Sequence, residues 1–204
     1  MSKGHREDLG ERLLAEYKRV ADKYFAKVVA AEGKAVFRRR ETLSGSASVL
    51  SCGGRQGFVC IEAPDPTSIR ALYVFLHECG HILLGHMVNG SVPGYAREME
   101  AEAWTHITMQ TEGLPIPPAE RQRAAQYVGD LIGEALASTD EQDREQAADY
   151  LVGLKSLKSI KSGDNLPWLE RLRQLGRKFQ RTEVAPDQGG VPDPPQYAEG
   201  RGTL

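Results

Sequence analysis

The sequence contains few cysteines and no apolar segment at its N-terminus, and each absence argues against a secreted protein. Its 204 residues contain only 3 cysteines, too few and odd in number for the disulfide framework of a small secreted domain. The N-terminal residues are polar and charged, unlike a secretory signal. A net charge of −2 gives no overall attraction to nucleic acid or acidic membranes. We therefore expect a cytoplasmic protein.

The most apolar stretch, residues 71–88, lacks the uniform apolarity of a membrane span. It contains three histidines, a glutamate and a cysteine, and such groups are costly in hydrocarbon unless each has a partner. We interpret the stretch as a buried helix and predict no membrane association.

The rest of the chain has a helical pattern that strand-like sequence interrupts once. Apolar residues recur at steps of three and four over residues 5–31, which predicts a helix, and Gly33 stands where a C-cap glycine is expected. Three β-rich segments then predict a small antiparallel sheet. These segments are 35–39, 47–51 and 57–62. Further helices are predicted from Thr67 or Ser68 to about Met87, and at about 95–112, 118–137, 140–161 and 165–181.

This order predicts an α+β fold, in which an N-terminal helix and a small antiparallel sheet pack on a mainly helical body. We assign residues 1–112 to a core and residues 113–182 to a C-terminal helical extension. Residues 183–204 are rich in proline, glycine and polar groups, and this composition predicts a disordered tail.

The string HECGH, residues 77–81, carries the chemistry. His77 and His81 are four residues apart, so on a helix they project from one face and both imidazoles can reach one cation. Glu78 lies beside them, where its carboxylate can act as general base on a water. The competing interpretation is a buried helix whose histidines only form hydrogen bonds, but burying these groups without a metal is expensive.

A catalytic zinc site needs a third protein ligand, and the segment YAREMEAEAWTH supplies carboxylates about twenty residues further on. Glu98 and Glu102 are four residues apart and share a helix face, whereas Glu100 points elsewhere. From these residues alone the third ligand stays open.

HECGH followed by E-x-E-A-x-x-aromatic resembles the ImmA/IrrE-type metallopeptidases, a gluzincin-like branch of the HExxH zinc peptidases. The resemblance covers about residues 60–112 and implies a zincin-like active-site helix, a Zn²⁺ ion and cleavage by zinc-dependent hydrolysis. It implies Glu98 as the third ligand and Glu102 as a carboxylate that orients a ligating histidine. Glu102 and Thr105 stand where the family pattern usually has Asp or Asn and Ala. An overlapping register that starts at Glu100 remains open.

Three further candidate site residues lie near this motif in the sequence. His106 follows Glu102 by four positions and is a fallback ligand, with a structural role favoured. Tyr95 is a candidate stabiliser of the transition state, with a packing role favoured. His86 lies about 140° around an ideal helix from His81, so we reject it as a ligand and place its cation at the helix end, where it favours the dipole.

The resemblance implies a narrow-specificity regulatory protease that acts on a protein, such as a helix-turn-helix repressor of a mobile element, a phage or a stress response. We expect the strand at 57–62 to flank the cleft and bind an extended substrate. The alternative is a zinc-containing regulatory module that binds a protein or DNA partner without proteolysis. Basic residues within 155–181 permit nucleic-acid contact, which we do not favour. The His/His/Glu set favours zinc over manganese or iron.

Overall fold

A computed structural model of the protein describes residues 3–52, 55–87 and 92–157. Among these residues the fold is α+β, as predicted, with a three-stranded sheet and five helices. In chain order the elements are α1 Lys3–Glu32, β1 Ala35–Arg40, β2 Ser46–Cys52, β3 Arg55–Pro64, α2 Ile69–Leu83, α3 Gly94–Thr111, α4 Pro118–Leu136 and α5 Glu141–Leu157. Gly33 has a φ of 75° and ends α1, which confirms the predicted C-cap.

The sheet is mixed rather than wholly antiparallel, so one strand pairing was predicted wrongly. The strand order is β1-β3-β2; β2 pairs antiparallel with β3, but β1 pairs parallel with it. In β3, the residues Val59, Cys60 and Ile61 are almost fully buried. Burial of this segment places it at the centre, where it inserts between the two strands that precede it in the chain.

Helix α2 lies at the middle of the main core, between α1, the sheet and α3. It begins after Ser68, whose hydroxyl accepts a hydrogen bond from the backbone N–H of Ala71. It ends at Leu83, earlier than the predicted Met87, because Gly85 adopts a left-handed conformation with a φ of 77°. This early end changes the direction of the residues that follow, including His86.

Helices α4 and α5 pack on α3 through a second apolar cluster that includes Tyr95, Val128 and Tyr150. The last residues of the helix predicted at 140–161, the helix predicted at 165–181, the basic residues beyond 157 and the tail at 183–204 lie outside the described residues. No helix in the described part of the chain is long and apolar enough to cross a membrane.

Candidate metal centre

The candidate site forms where α2 and α3 approach each other closely. Gly80 allows this approach, because a Cβ atom there would lie 3.0 Å from Trp104 Cε3 and 3.5 Å from the carbonyl oxygen of Ala101. A side chain at this position would require Trp104 to shift by a few tenths of an ångström.

His77, His81 and Glu98 converge on one point between the two helices. The Nε2 atoms of His77 and His81 are 3.0 Å apart. Glu98 places Oε2 3.2 Å from His77 Nε2 and Oε1 3.5 Å from His81 Nε2. One ligand atom from each residue falls within 4.8 Å of the others, so a small cation at their centre can contact all three. The geometry selects Glu98, rather than Glu100 or Glu102, as the carboxylate of this triad.

Glu102 lies behind the triad and faces the other nitrogen of His77. Its Oε1 is 3.2 Å from His77 Nδ1, an ion-pair distance rather than a well-aligned hydrogen bond. The Tyr73 hydroxyl contacts both the Glu102 carboxylate and His106 Nε2. His106 therefore lies behind the site, beside Tyr73 and Glu102, and is not a member of the triad.

The carboxylates around His77 favour its protonated form. Burial opposes protonation of His77, but Glu102 and Glu98 outweigh it and raise the pKa of His77 to about 10. For Glu98 and Glu102, burial favours the neutral acid, but His77 more than compensates and holds the pKa of each carboxyl below its usual range. Two carboxylates and two imidazoles thus surround a place that favours positive charge.

Glu78 differs from these carboxylates, because burial raises its pKa and the nearby His77 and His81 only partly offset this effect. Its side chain packs under the loop between β1 and β2. A Cβ atom on Gly45 would lie 2.4 Å from Glu78 Oε1, so this loop approaches the carboxylate as closely as it does only because residue 45 is glycine.

A cavity of about 580 Å³ opens above the triad. Its walls include Ser44–Ala47, Glu78, Glu98 and, from α4, Tyr127. Tyr127 is 51% exposed and is the tyrosine that sequence reasoning missed. Its position in a helix of the C-terminal extension gives no local signal that it reaches this cavity.

Tyr95, the candidate stabiliser of the transition state, is not among the residues that line this cavity. Its ring packs against Tyr150 in the second apolar cluster, with ring centroids 5.0 Å apart. The packing role favoured from the sequence is the one observed.

His86 is also placed differently from the prediction. It does lie just beyond the end of α2, but it is buried, and burial holds its pKa below the ordinary value, so it is a neutral imidazole and not a dipole-stabilising cation. Its Nδ1 lies 3.0 Å from Nδ1 of His81, and its Nε2 lies 3.1 Å from Glu100 Oε2. The signal that could have revealed this contact is Gly85, a helix-ending residue type directly before His86.

Comparisons of the chain with family models, curated proteins and solved structures found no match. The geometry alone therefore supports a candidate metal-binding triad formed by His77, His81 and Glu98.

Proposed function

We propose that the protein is a zinc-dependent peptidase whose metal is held by His77, His81 and Glu98. The observation that carries this proposal is the convergence of these three side chains at the floor of an open cavity that also contains the Glu78 carboxylate. A structural zinc site is closed by four protein ligands, whereas a catalytic site has three and leaves one position open. Three ligands beside a cavity fit the catalytic kind.

The donor atoms fit zinc, because imidazole nitrogen and carboxylate oxygen are its common ligands. Glu102 faces Nδ1 of His77, and His86 faces Nδ1 of His81. In many zinc sites, residues placed in this way orient the ligating histidines. When bound, zinc supplies Lewis acidity to the site. Other divalent metals with similar ligand preferences compete for such a donor set.

Glu78 is the proposed general base. Its raised pKa, caused by burial, brings the carboxyl closer to the working range of an acid–base catalyst. It takes a proton from the attacking water and delivers it to the amine that leaves when the peptide bond breaks. Tyr127 replaces Tyr95 as the candidate donor to the developing oxyanion, because its side chain reaches the cavity.

The strand at the cleft is β2, and not the segment 57–62 that the sequence suggested. That segment belongs to β3, which already has a partner on each side. Strand β2 is at the edge of the sheet, and Ser46 and Ala47 line the cavity. An extended peptide can therefore add to β2 by backbone hydrogen bonds.

By resemblance to the ImmA/IrrE-type metallopeptidases, the proposed substrate is a cytoplasmic regulatory protein such as a helix-turn-helix repressor of a mobile element or phage. The first test is made on the metal.

Metal content is measured by mass spectrometry on protein purified without a polyhistidine tag, beside His81→Ala and Glu98→Ala. We expect about one zinc per chain in the wild type and little in either variant. Wild-type protein that takes up no metal when zinc is offered would end the proposal.

Peptidase activity is then tested on a peptide library prepared from a digested cell lysate, with cleavage sites identified by mass spectrometry. We expect new peptide termini with the zinc-loaded wild type and none with Glu78→Gln, which should retain its metal. Cleavage that persists in Glu78→Gln would refute the role of Glu78. Zinc binding without any cleavage of peptides or intact partner proteins would favour the alternative of a zinc-containing binding module.

A further inference from the structure

Behind His81 lies a buried polar chain that no part of the proposed reaction uses. His86 is 4% exposed and Glu100 is 5% exposed. The chain runs from His81 Nδ1 to His86 Nδ1 over 3.0 Å, and from His86 Nε2 to Glu100 Oε2 over 3.1 Å. Burying polar groups costs free energy of desolvation unless they are hydrogen-bonded. The contacts among His81, His86 and Glu100 offset this cost.

The distances permit one consistent placement of protons. A carboxylate only accepts hydrogen bonds, so Glu100 requires the proton of neutral His86 to be on Nε2. Nδ1 of His86 is then an acceptor and requires a proton on Nδ1 of His81. This tautomer leaves the lone pair of His81 Nε2 directed at the triad, where a metal ligand needs it.

The opposite placement would block the site. If His86 carried its proton on Nδ1, it would donate to His81, and His81 would carry its own proton on Nε2, next to His77 Nε2. Metal binding would then require a rearrangement of all three groups. Glu100 excludes this placement, although it contacts no member of the triad.

We propose that His86 and Glu100 are positioning residues that fix the tautomer and ring orientation of His81 and thereby set the metal affinity of the site. This inference rests on the metal centre of the proposed function but not on its peptidase activity. It also assigns different roles to three glutamates of α3: Glu98 binds, Glu102 supports His77, and Glu100 supports His81 through His86.

The backbone around His86 is held in a way that suits this role. The left-handed conformation of Gly85 turns the chain immediately after α2. The backbone N–H of His86 donates to the carbonyl of His81 over 2.9 Å, and Arg97 Nη1 lies 3.5 Å from the His86 carbonyl oxygen. These contacts hold the imidazole in place relative to α2 and α3.

The test measures the zinc dissociation constant by competition with a chromophoric chelator. His86→Phe keeps a planar ring but removes the acceptor, and Glu100→Leu removes the terminal carboxylate. We expect zinc binding to weaken by about 10- to 100-fold in each. Glu100→Gln keeps an acceptor oxygen and should restore most of the affinity, which a purely space-filling role would not predict. The matched control is Glu112→Gln, because Glu112 is a partly buried acid at the C-cap of α3 and bonds to Arg19, Lys23 and Tyr24 of α1 instead of to the triad.

A second measurement reads the tautomer directly. Two-bond nitrogen–proton correlation spectra of the metal-free wild type should show the His81 proton on Nδ1, and Glu100→Gln should retain this signature more than Glu100→Leu. Wild-type zinc affinity in both His86→Phe and Glu100→Leu would overturn the proposal, as would a His81 proton found on Nε2 in the wild type. If His86→Phe and Glu100→Leu do not fold, the proposal is still tested by the position of the His81 proton in the spectra of the wild type and of Glu100→Gln. Failure of the wild type to bind zinc would instead refute the metal centre itself.

Discussion

The described structure holds two groups of acidic side chains that differ in their partners. One group is paired with arginine or lysine: Glu62 with Arg40, Glu112 with Lys23 and Arg19, and Glu120 with Arg70 and Arg123. The other group faces histidines between α2 and α3: Glu98, Glu100 and Glu102.

The two groups differ in which side chains supply the positive charge. Arginine and lysine are protonated throughout the physiological range, so the first group is electrically complete. Histidine carries a charge only when protonated, and His86 and His81 are needed as neutral groups in the arrangement above. The second group therefore depends on the charge of His77, whose pKa Glu102 and Glu98 raise to about 10 against the effect of burial. Three carboxylates around one such charge favour the binding of a cation. The contrast separates acids that stabilise the fold from acids that serve a site.

The largest effect is expected when zinc is added to the whole chain. A ligand that binds only the folded state stabilises it, by about 4 kcal/mol when free zinc exceeds the dissociation constant about 1,000-fold. We expect thermal unfolding to move to higher temperature with zinc and to return with a chelator. His81→Ala should show no such response. An unfolding temperature that is the same with zinc and with chelator would place the histidine-facing acids with the structural ones.

Glu78 belongs to neither group, and Gly45→Ala isolates its contribution. The added Cβ atom would lie 2.4 Å from Glu78 Oε1, so the carboxylate or the loop has to move. Displacement of a catalytic group by about 1 Å can cost about 100-fold in rate, and we expect peptidase activity to fall by this order while zinc content stays at the wild-type value. Loss of zinc together with activity would show that the loop supports the metal ligands and not the base.

The sequence predicted the parts of the site that depend on spacing within one helix. His77, Glu78 and His81 share an apolar helical segment, and the four-residue interval alone puts both imidazoles on one face. The third ligand depends on how two helices pack, so Glu98 and Glu100 could not be distinguished from their own spacing. Only the close contact at Gly80 fixes which carboxylate reaches the histidines.

The errors came from places where the chain changes direction. His86 was placed on an ideal helix that was expected to continue to Met87, but Gly85 ends that helix and turns His86 back towards His81. The parallel pairing of β1 differs from the predicted antiparallel sheet, because local sequence does not encode which strand becomes central. Tyr95 is a candidate because it begins the helix that carries the glutamates, whereas its ring packs against Tyr150 on a helix that is distant in sequence.

A smaller effect is expected at Glu120, the most buried acid of the arginine-paired group. Its Oε1 is 2.5 Å from Arg70 Nε, and its Oε2 is 2.6 Å from Arg123 Nη2. Glu120→Gln removes the charge but keeps the shape, and we expect the free energy of unfolding to fall by about 2 kcal/mol, measured by chemical denaturation of metal-free protein. The zinc dissociation constant should remain within about twofold of the wild type, because His86 and Glu102 do not depend on this pair. A large loss of zinc affinity with little loss of stability would contradict the division into two groups.

The smallest effect is expected at Glu112, and it depends on pH. Hydrogen bonds from Lys23, and then from Arg19 and Tyr24, hold the pKa of Glu112 below its usual range despite an opposing effect of burial. A carboxyl with a pKa depressed by folding stabilises the native state above its unfolded pKa of about 4.3, and this contribution disappears as the pH falls through the folded value. Because Lys23 is half exposed, the contribution should be at most about 1 kcal/mol. Glu112→Gln should therefore be less stable than the wild type at neutral pH, and the difference in unfolding free energy should shrink towards pH 3. A difference that grew as the pH fell would mean that Glu112 is held as a neutral acid, and that arginine and lysine pairing does not define the first group.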